Sequence, residues 1–125
     1  MVGAFFSYGF GPANSYADNV EQGETQMKFS DIKFTKTKMP KGIQAILKFG
    51  EYELSIIKSD FSYGGKNGYY EIAVFKGEGQ IELPGITEEG DTVKGWLSEY
   101  EVVEIIKKMQ SVSGNISPKQ VALAQ

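Results

Sequence analysis

The sequence predicts a small α+β domain, an antiparallel sheet of four to five strands with one amphipathic helix packed on a face. Runs of β-forming residues that alternate in hydrophobicity fill much of residues 43–83 and are separated by short glycine turns. Residues 98–109 carry a clear helical period behind an N-terminal capping signal. The chain also has 15 glycines, eight Phe, seven Tyr and one Trp, which is typical of a β-rich fold with many tight turns.

A length of 125 residues fits one domain. We divide the chain into an irregular N-terminal arm rich in aromatic residues and glycine (residues 1–26), an α+β domain (27–114) and a short C-terminal helix (115–125). The arm has four closely spaced aromatic residues: Phe5, Phe6, Tyr8 and Phe10. Two interpretations of the arm stay open. It packs on the domain or on a neighbouring subunit, which favours a homo-oligomer, or it binds a partner.

The strands follow from alternation. Residues 27–34 predict a strand with a bulge at Ser30-Asp31. Gly50-Glu51 predicts a two-residue hairpin turn, because glycine at the first position allows a positive φ. The strands on either side of this turn place seven apolar side chains on one face: Ile43, Ala45, Leu47, Phe49, Tyr52, Leu54 and Ile56. Residues 69–75 predict a further strand, and residues 77–79 a turn before the last one.

The helix begins at a capping box formed by Ser98 and Glu101. Its apolar residues recur at the spacing of one helical face: Val102, Ile105, Ile106 and Met109. Trp96, just before the cap, is expected to anchor this helix to the sheet. Ser117-Pro118 predicts the start of the short C-terminal helix, because proline is favoured in the first helical turn.

The chain contains no histidine, cysteine or arginine, although it has 13 lysines. It therefore lacks the side chain that titrates near neutral pH, the thiolate nucleophile and soft metal ligand, and the bidentate fork for phosphate. We expect no enzyme activity, no metal and no cofactor. The acidic cluster Glu88, Glu89 and Asp91 is interpreted as a solvated turn, with a catalytic carboxylate pair or a calcium loop as alternatives.

The net charge of −3 gives no global support for binding nucleic acid or an anionic membrane. Apolar runs fall short of the roughly 20 residues of a membrane span. The first residues lack the basic region of a signal peptide, and the absence of cysteine fits a reducing compartment. We therefore expect a cytoplasmic protein with no membrane partner.

The most turn-like stretch is the candidate binding site. Its glycines allow close approach of backbone N–H groups, its lysine adds a charge and its tyrosines can stack on a ligand. The candidate contact residues are Tyr63, Gly64, Gly65, Lys66, Asn67 and Tyr69. The stretch lacks the glycine spacing of a dinucleotide or P-loop site. A plain hairpin loop and a ligand or partner contact both remain open.

A second candidate surface combines four lysines with one aromatic residue: Lys33, Phe34, Lys36, Lys38 and Lys41. Such a patch can bind single-stranded nucleic acid through phosphate contacts and stacking. Lysines on an edge strand also prevent edge-to-edge aggregation. The acidic total favours the structural role, so nucleic acid is the alternative partner.

Four segments together resemble a family of small tailed-bacteriophage proteins of unassigned function. The usual pattern of that family is an F-x-N-G-Y-G-x-S-V-V hairpin, an S-Y-G-G loop, an L-Y-E-x-A-V strand and a D-V-x-G-[YFW]-L-[ST]-x-x-E-V helix start. Here the matching segments are residues 49–57, 62–65, 70–74 and 93–98, within a match over about residues 42–110. The hairpin departs from the pattern, with Gly50-Glu51-Tyr52-Glu53 in place of N-G-Y-G. The resemblance implies a phage origin and a shared fold, and it implies no activity.

The functional expectation is a non-catalytic binding protein. If it is phage-encoded, it acts in the host cytoplasm by masking a host protein or by sequestering a small nucleotide-like signal, as a counter-defence inhibitor. The alternatives are a virion or assembly component, and an accessory protein for single-stranded nucleic acid that uses the lysine patch. This expectation rests on origin and size, which is an analogy.

Overall fold

Residues 27–123, the part of the chain that this computed structural model describes, form one antiparallel sheet and one α-helix. The predicted α+β architecture, with an amphipathic helix on a face of the sheet, is confirmed. The elements within these residues are β1 (Thr35–Lys38), β2 (Lys41–Phe49), β3 (Tyr52–Ser59), β4 (Tyr70–Lys76), β5 (Gly79–Ile81), β6 (Val93–Leu97), α1 (Glu99–Val112) and β7 (Lys119–Val121).

Three long strands form the middle of the sheet in the order β2–β3–β4. The outer edge of β2 is occupied by two short strands placed end to end, because β1 pairs with residues 41–44 and β7 with residues 46–48. The outer edge of β4 is divided in the same way between β5 and β6. The sheet is therefore five strands wide, although residues 27–123 contain seven strands.

One face of the sheet is buried beneath α1. The register places Ala45 opposite Ile56 and Leu47 opposite Leu54, which in turn lies opposite Val74, and all five side chains are 0 % exposed. The helix contributes the four side chains that its period predicted: Val102, Ile105, Ile106 and Met109. Full burial of one such side chain contributes about 1.5–3 kcal/mol, so this face supplies most of the stabilisation.

The other face, which we call the helix-free face, is less buried. Side chains alternate along a strand, so Ile46, Ser55 and Ile57 point away from the core positions beside them. The apolar side chains on this face are all half-buried: Ile46, Ile57, Ala73, Phe75, Val93 and Val121. Gln44 donates from Nε2 to Ser55 Oγ at 3.0 Å, which satisfies two polar groups in the middle of the face.

The β2–β3 hairpin turns at Gly50-Glu51, as the sequence predicted. Phe49 pairs with Tyr52, which leaves two residues in the turn. Gly50 adopts a φ of +63°, a conformation that glycine accepts at low cost. This turn fixes the register of both strands.

Each divided edge of the sheet is held by a glutamine side chain. Gln120 of β7 accepts the N–H of Lys33 at 3.2 Å and donates to the Lys33 carbonyl at 3.0 Å, so its amide reproduces a pair of ladder bonds. Gln80 of β5 donates to the Thr92 hydroxyl at 2.7 Å, directly before β6. These bonds join short strands that have little pairing of their own.

The predicted C-terminal helix is wrong, because residues 119–121 form strand β7. Val121 pairs with Ile46 and Lys119 with Lys48. The β1 strand reaches only residues 41–44 of β2, so the backbone groups that follow need another partner. So short a segment also makes a marginal helix. Pairing with the open edge of β2 therefore outweighs the local helix signal.

The predicted strand over residues 27–34 is also wrong. Phe29–Asp31 form a turn of 3-10 helix, and the strand begins only at Thr35. The Asp31 carboxylate accepts the N–H of Lys28 at 2.9 Å, a local bond that competes with strand pairing. Phe29 and Ile32 still pack on the core, so apolar spacing misled the assignment.

The described residues hold no helix with the length and apolar character needed to cross a membrane.

Replacing Leu47 with alanine tests which face is buried. We expect Leu47→Ala to lower the free energy of unfolding by about 2–5 kcal/mol, because it opens a cavity in the core. The neighbour Ile46 lies on the helix-free face, so Ile46→Ala is the matched control and should cost clearly less. Urea denaturation of both variants measures the difference. Equal losses would contradict the assignment of the two faces.

Candidate functional site

Residues 60–69 form a loop between β3 and β4 whose base is fixed by two buried serines. Ser59 donates its backbone N–H to Ser62 Oγ at 2.8 Å, and Ser62 donates its own to Ser59 Oγ at 3.2 Å. The Ser62 hydroxyl also donates to the Ser59 carbonyl at 3.1 Å. These reciprocal bonds satisfy the buried polar groups and give the loop a defined conformation.

Glycines shape the tip of the loop. A turn of 3-10 helix over Gly65–Asn67 lies between Gly64 and Gly68, with φ values of +84° and +86°. Tyr69 closes the turn by donating its N–H to the Gly64 carbonyl at 3.0 Å. A Cβ at Gly65 would overlap the Ser59 carbonyl oxygen. The sequence singled out this stretch for its glycines, and they are needed for the shape of the loop itself.

The loop docks on β6 from the side of the helix-free face. Tyr63 donates its N–H to Glu71 Oε1 at 3.0 Å, and the register places Glu71 beside Ile57 on that face. The backbone N–H of Trp96 donates to the Tyr63 carbonyl at 3.2 Å. A Cβ at Gly95 would overlap Tyr63 Cβ. Loop and strand therefore touch because position 95 has no side chain.

Three residues with exposed rings lie at this junction, and we call them the aromatic platform: Tyr63, Tyr69 and Trp96. They are 59 %, 41 % and 56 % exposed, respectively. The rings of Tyr69 and Trp96 have centroids 5.8 Å apart and are tilted by 48°. Gly64 lies under both residues, since a Cβ there would come within 3.0 Å of the Trp96 ring and of Tyr69 Cβ. The platform is thus held by contacts within the chain while its rings face solvent.

Trp96 adopts a φ of +57°. A bulky residue in this left-handed region is an outlier with a steric cost of about 1–3 kcal/mol. The expectation that Trp96 anchors α1 to the sheet is therefore wrong, because the indole lies on the loop and is exposed, while the next residue, Leu97, is the buried one.

Two further exposed aromatic residues flank the platform in sequence. Phe61, at the start of the loop, is 82 % exposed, and Tyr100, in the first turn of α1, is 72 % exposed. Sequence reasoning did not select Phe61, Trp96 or Tyr100 as contact residues. A sequence signal for Trp96 exists in Gly95-Trp96, since a glycine before an aromatic in a strand often marks close backbone approach.

The other predicted loop residues divide into two roles. Gly64 is buried and Gly65 half-buried, so they support the rings and offer little surface. Lys66 and Asn67 are exposed and available to a partner. The arm residues proposed as contacts, Phe5, Phe6, Tyr8 and Phe10, lie outside the described residues.

The lysine patch lies in the edge strand β1, in the segment before it and at Lys41, the first residue of β2, and its four lysines are exposed. Phe34 is half-buried, with its ring centroid 5.6 Å from that of Phe29 and 5.7 Å from that of Tyr70. Since this ring already packs within the chain, it does not offer a free face to a base. The position of the lysines on an edge strand suits protection of that edge.

The acidic loop is held by local hydrogen bonds, one of which uses the Asp91 carboxylate. Asp91 Oδ1 accepts the N–H of Thr92 at 2.7 Å, and the backbone of Glu88 pairs with Val93 and Asp91. Among residues 27–123, no three acidic side chains come together in a way that could hold a metal ion.

The capping box holds the start of α1 next to the platform. Ser98 donates its N–H to Glu101 Oε1 at 2.9 Å, and Glu101 donates its own to Ser98 Oγ at 3.2 Å. The pKa of Glu101 lies below its ordinary value mainly because the carboxylate accepts the Ser98 N–H, with smaller contributions from the Ser98 hydroxyl and Lys94. A depressed folded-state pKa means that this carboxylate stabilises the fold above its unfolded pKa and ceases to do so as the pH falls through the folded pKa.

A charge-neutral variant tests this contribution. Glu101→Gln has no carboxylate to protonate at this position. We therefore expect its free energy of unfolding to fall less than that of the native chain as the pH is lowered. Urea denaturation at a series of pH values from neutral to about pH 3 gives the free energy of unfolding of both proteins, and the slopes of the two curves against pH are compared. Glu78→Gln, in the exposed β4–β5 turn, is the control. Parallel curves for the native chain and Glu101→Gln would contradict the assignment.

The close approach at position 95 is tested by adding one methyl group. We expect Gly95→Ala to cost about 1–3 kcal/mol through overlap with Tyr63 and to change the fluorescence of Trp96, the single tryptophan of the chain. Gly79→Ala is the matched control, since its nearest contact would be the Lys76 carbonyl oxygen at 3.9 Å. An unchanged emission spectrum for Gly95→Ala would show that the loop does not depend on this contact.

Comparison of the chain with protein-family models, with curated proteins and with solved structures gave no match. The resemblance to small tailed-phage proteins therefore stays a prediction, and the candidate site rests on its geometry.

Proposed function

We propose that the chain is a non-catalytic binding protein that recognises a protein partner through the aromatic platform. The proposal rests on Trp96, whose side chain is 56 % exposed and whose backbone has a φ of +57°. That conformation is costly, and an exposed ring recovers little free energy through burial. Such a position is favoured where the ring contacts something outside the chain.

The composition of the aromatic platform suits a protein interface. Tyrosine and tryptophan are enriched among the residues that dominate binding energy, because they bury a large area for few side-chain torsions. Here Gly64 lies against the indole, and Tyr63 is held through its backbone N–H and carbonyl. Rings that are positioned before binding lower the entropy cost of association.

A small nucleotide-like ligand is the second candidate. Tyr69 and Trp96 offer aromatic faces, and stacking of one base contributes about 1–3 kcal/mol. Lys66, exposed in the same loop, can supply only a point charge to a phosphate, since the chain has no arginine. We rank this candidate second because two more exposed rings, Phe61 and Tyr100, lie within four residues of a platform residue in the sequence and add aromatic area suited to a protein partner.

The resemblance to tailed-phage proteins indicates which partner to expect. In a phage-encoded protein, a preformed recognition surface without catalytic groups would cover a functional site of a host protein and so inhibit it. A virion or assembly role differs in a testable way, because the platform would then contact a second copy or another virion protein.

Site-specific photocrosslinking in bacterial cells tests the proposal. We place p-benzoylphenylalanine at Tyr100, which flanks the platform, and expect one discrete crosslinked species that contains a bacterial protein. The matched control is the same probe at Met39, which is 94 % exposed in the β1–β2 turn and should not give that species. Equal yields at the two positions would contradict a specific surface.

Trp96→Gly in the same probe background separates binding from folding. Glycine removes the backbone strain, so we expect the free energy of unfolding to change by no more than about 1 kcal/mol, while most of the crosslinked product is lost. Leu97→Ala, which cuts a buried neighbour, should instead destabilise by about 2–5 kcal/mol. An undiminished yield with Trp96→Gly would overturn the proposal. A nucleotide adduct in native mass spectra without crosslinked protein would favour the second candidate, and self-crosslinks would favour assembly.

A further inference from the structure

We propose that the chain binds the phosphate backbone of duplex nucleic acid through four lysines on one face of the sheet. We call them the lysine corner: Lys36, Lys38, Lys41 and Lys58. This surface differs from the aromatic platform, so the inference goes beyond the proposed function and does not depend on it.

The strand register brings these four lysines together. Lys36 lies opposite Ile43, which lies opposite Lys58, and Lys38 lies opposite Lys41. Residues that pair directly across antiparallel strands turn their side chains to the same face. Neighbouring strands are about 4.8 Å apart and a strand rises about 3.3 Å per residue, so the four Cα atoms fall in an area of about 10 Å by 7 Å.

The corner lies on the face that α1 covers farther along the strands. Lys58 continues the alternation of Leu54 and Ile56, which are buried in the core. Its side chain is half-buried, and its ammonium group lies over the ring of Tyr70, 5.0 Å from the ring centroid. An aromatic ring holds a cation in place and does not neutralise its charge. The other three lysines are exposed.

Protection of a sheet edge accounts for only part of this arrangement. It explains Lys36 and Lys38, because both lie in the edge strand β1. Lys41 and Lys58 lie in β2 and β3, which are covered by a neighbour on both sides at these positions. Lysines on inner strands protect no edge, so their place beside the β1 lysines favours a role in binding.

Carboxylates within residues 27–123 leave the corner without an ion pair. The salt bridges of this part of the chain use Lys76 and Lys107. One carboxylate borders the corner, that of Asp60, whose backbone N–H donates to the Lys41 carbonyl at 3.3 Å. It offsets one of the four positive charges at most.

The wider charge distribution also favours an anionic partner. Residues 28–41 and 58–60 hold six lysines and two carboxylates, a formal net charge of +4. Residues 77–97, which contain β5 and β6 at the other edge of the sheet, hold five carboxylates and one lysine. Glu53 and Glu71 lie on the helix-free face. A polyanion is therefore attracted to the corner and repelled from the opposite edge.

The corner offers charge without a free ring, which indicates a duplex in preference to a single strand. The rings of Phe34 and Tyr70 pack against each other, with centroids 5.7 Å apart, so neither is available to stack on a base. A duplex displays its phosphates outward, and phosphate contacts alone support sequence-independent binding. About 10 Å of duplex axis carries about six phosphate charges, which is enough for four lysines.

An anionic membrane is the competing partner. Met39, in the β1–β2 turn, is 94 % exposed and lies between two corner lysines in the sequence. A single methionine has less apolar area than a myristoyl chain, and one such chain gives only marginal membrane binding. The corner therefore suits a nucleic-acid backbone better than a lipid surface.

Fluorescence anisotropy with a labelled DNA duplex tests the proposal on the full chain. We expect binding at low salt that weakens as salt is added. The slope of log K against log salt concentration should be about −3 to −4, because four lysines release about four counterions. Lys36→Gln combined with Lys41→Gln should bring the slope to about −2. Both side chains are exposed, and circular dichroism checks that the variant is folded.

Lys48→Gln combined with Lys119→Gln is the matched control. It removes the same charge from a register pair on the helix-free face, so the slope should stay unchanged. Equal losses in the two double variants would show attraction by net charge alone and would overturn the corner. No binding to the duplex at low salt, or binding only to phosphatidylglycerol vesicles, would overturn the proposal. Tighter binding to a single strand of the same length would overturn the choice of a duplex.

Discussion

The burial of one face of β2, β3 and β4 beneath α1 is the constraint on which the rest of the structure depends. Side chains alternate with a period of two, so a strand that buries Leu47 or Leu54 must turn its neighbours to the other face. That same parity puts Ser59 and Glu71 on the helix-free face. There they accept backbone N–H groups of the 60–69 loop. The position of the candidate site thus follows from the packing of the core, although no core residue takes part in it.

The platform is also the place where the chain accepts local strain. Within residues 27–123, the one other non-glycine residue with a positive φ is Asn115, and asparagine tolerates this conformation. Trp96 does not share that tolerance. Trp96 is held in place by the hydrogen bond from its backbone N–H to the Tyr63 carbonyl. Two glycines allow this contact, because Gly95 packs against Tyr63 and Gly64 packs against the indole. A stable fold alone does not require an indole there, which is why the strain supports recognition as the role of this residue.

Sequence patterns predicted those parts of the fold whose signals are local. Gly50 and Ser98 were assigned correctly because a two-residue turn and a capping box are complete within four residues. Residues 119–121 were not, because their strand exists only through pairing with the outer edge of β2, whose residues lie 71 to 75 positions away in the sequence. The prediction for Trp96 was wrong for a similar reason. Its place beside an apolar helix suggested burial, and only the contact between Gly95 and Tyr63 turns it outward. The loop residues were found because glycine-rich turns show in the sequence, whereas the ring that completes the platform comes from another strand.

The edges of the sheet help to explain why we propose the loop, and not an edge strand, as the recognition surface. An exposed edge strand can pair with a peptide, but here both outer positions consist of short strands joined by side chains, at Gln120 on one edge and Gln80 on the other. A strand of three to five residues offers few backbone groups for addition of another strand. The exposed lysines of β1 oppose such pairing further. With pairing at the edges disfavoured in this way, the exposed rings around Trp96 are the surface of the described domain best suited to a specific partner.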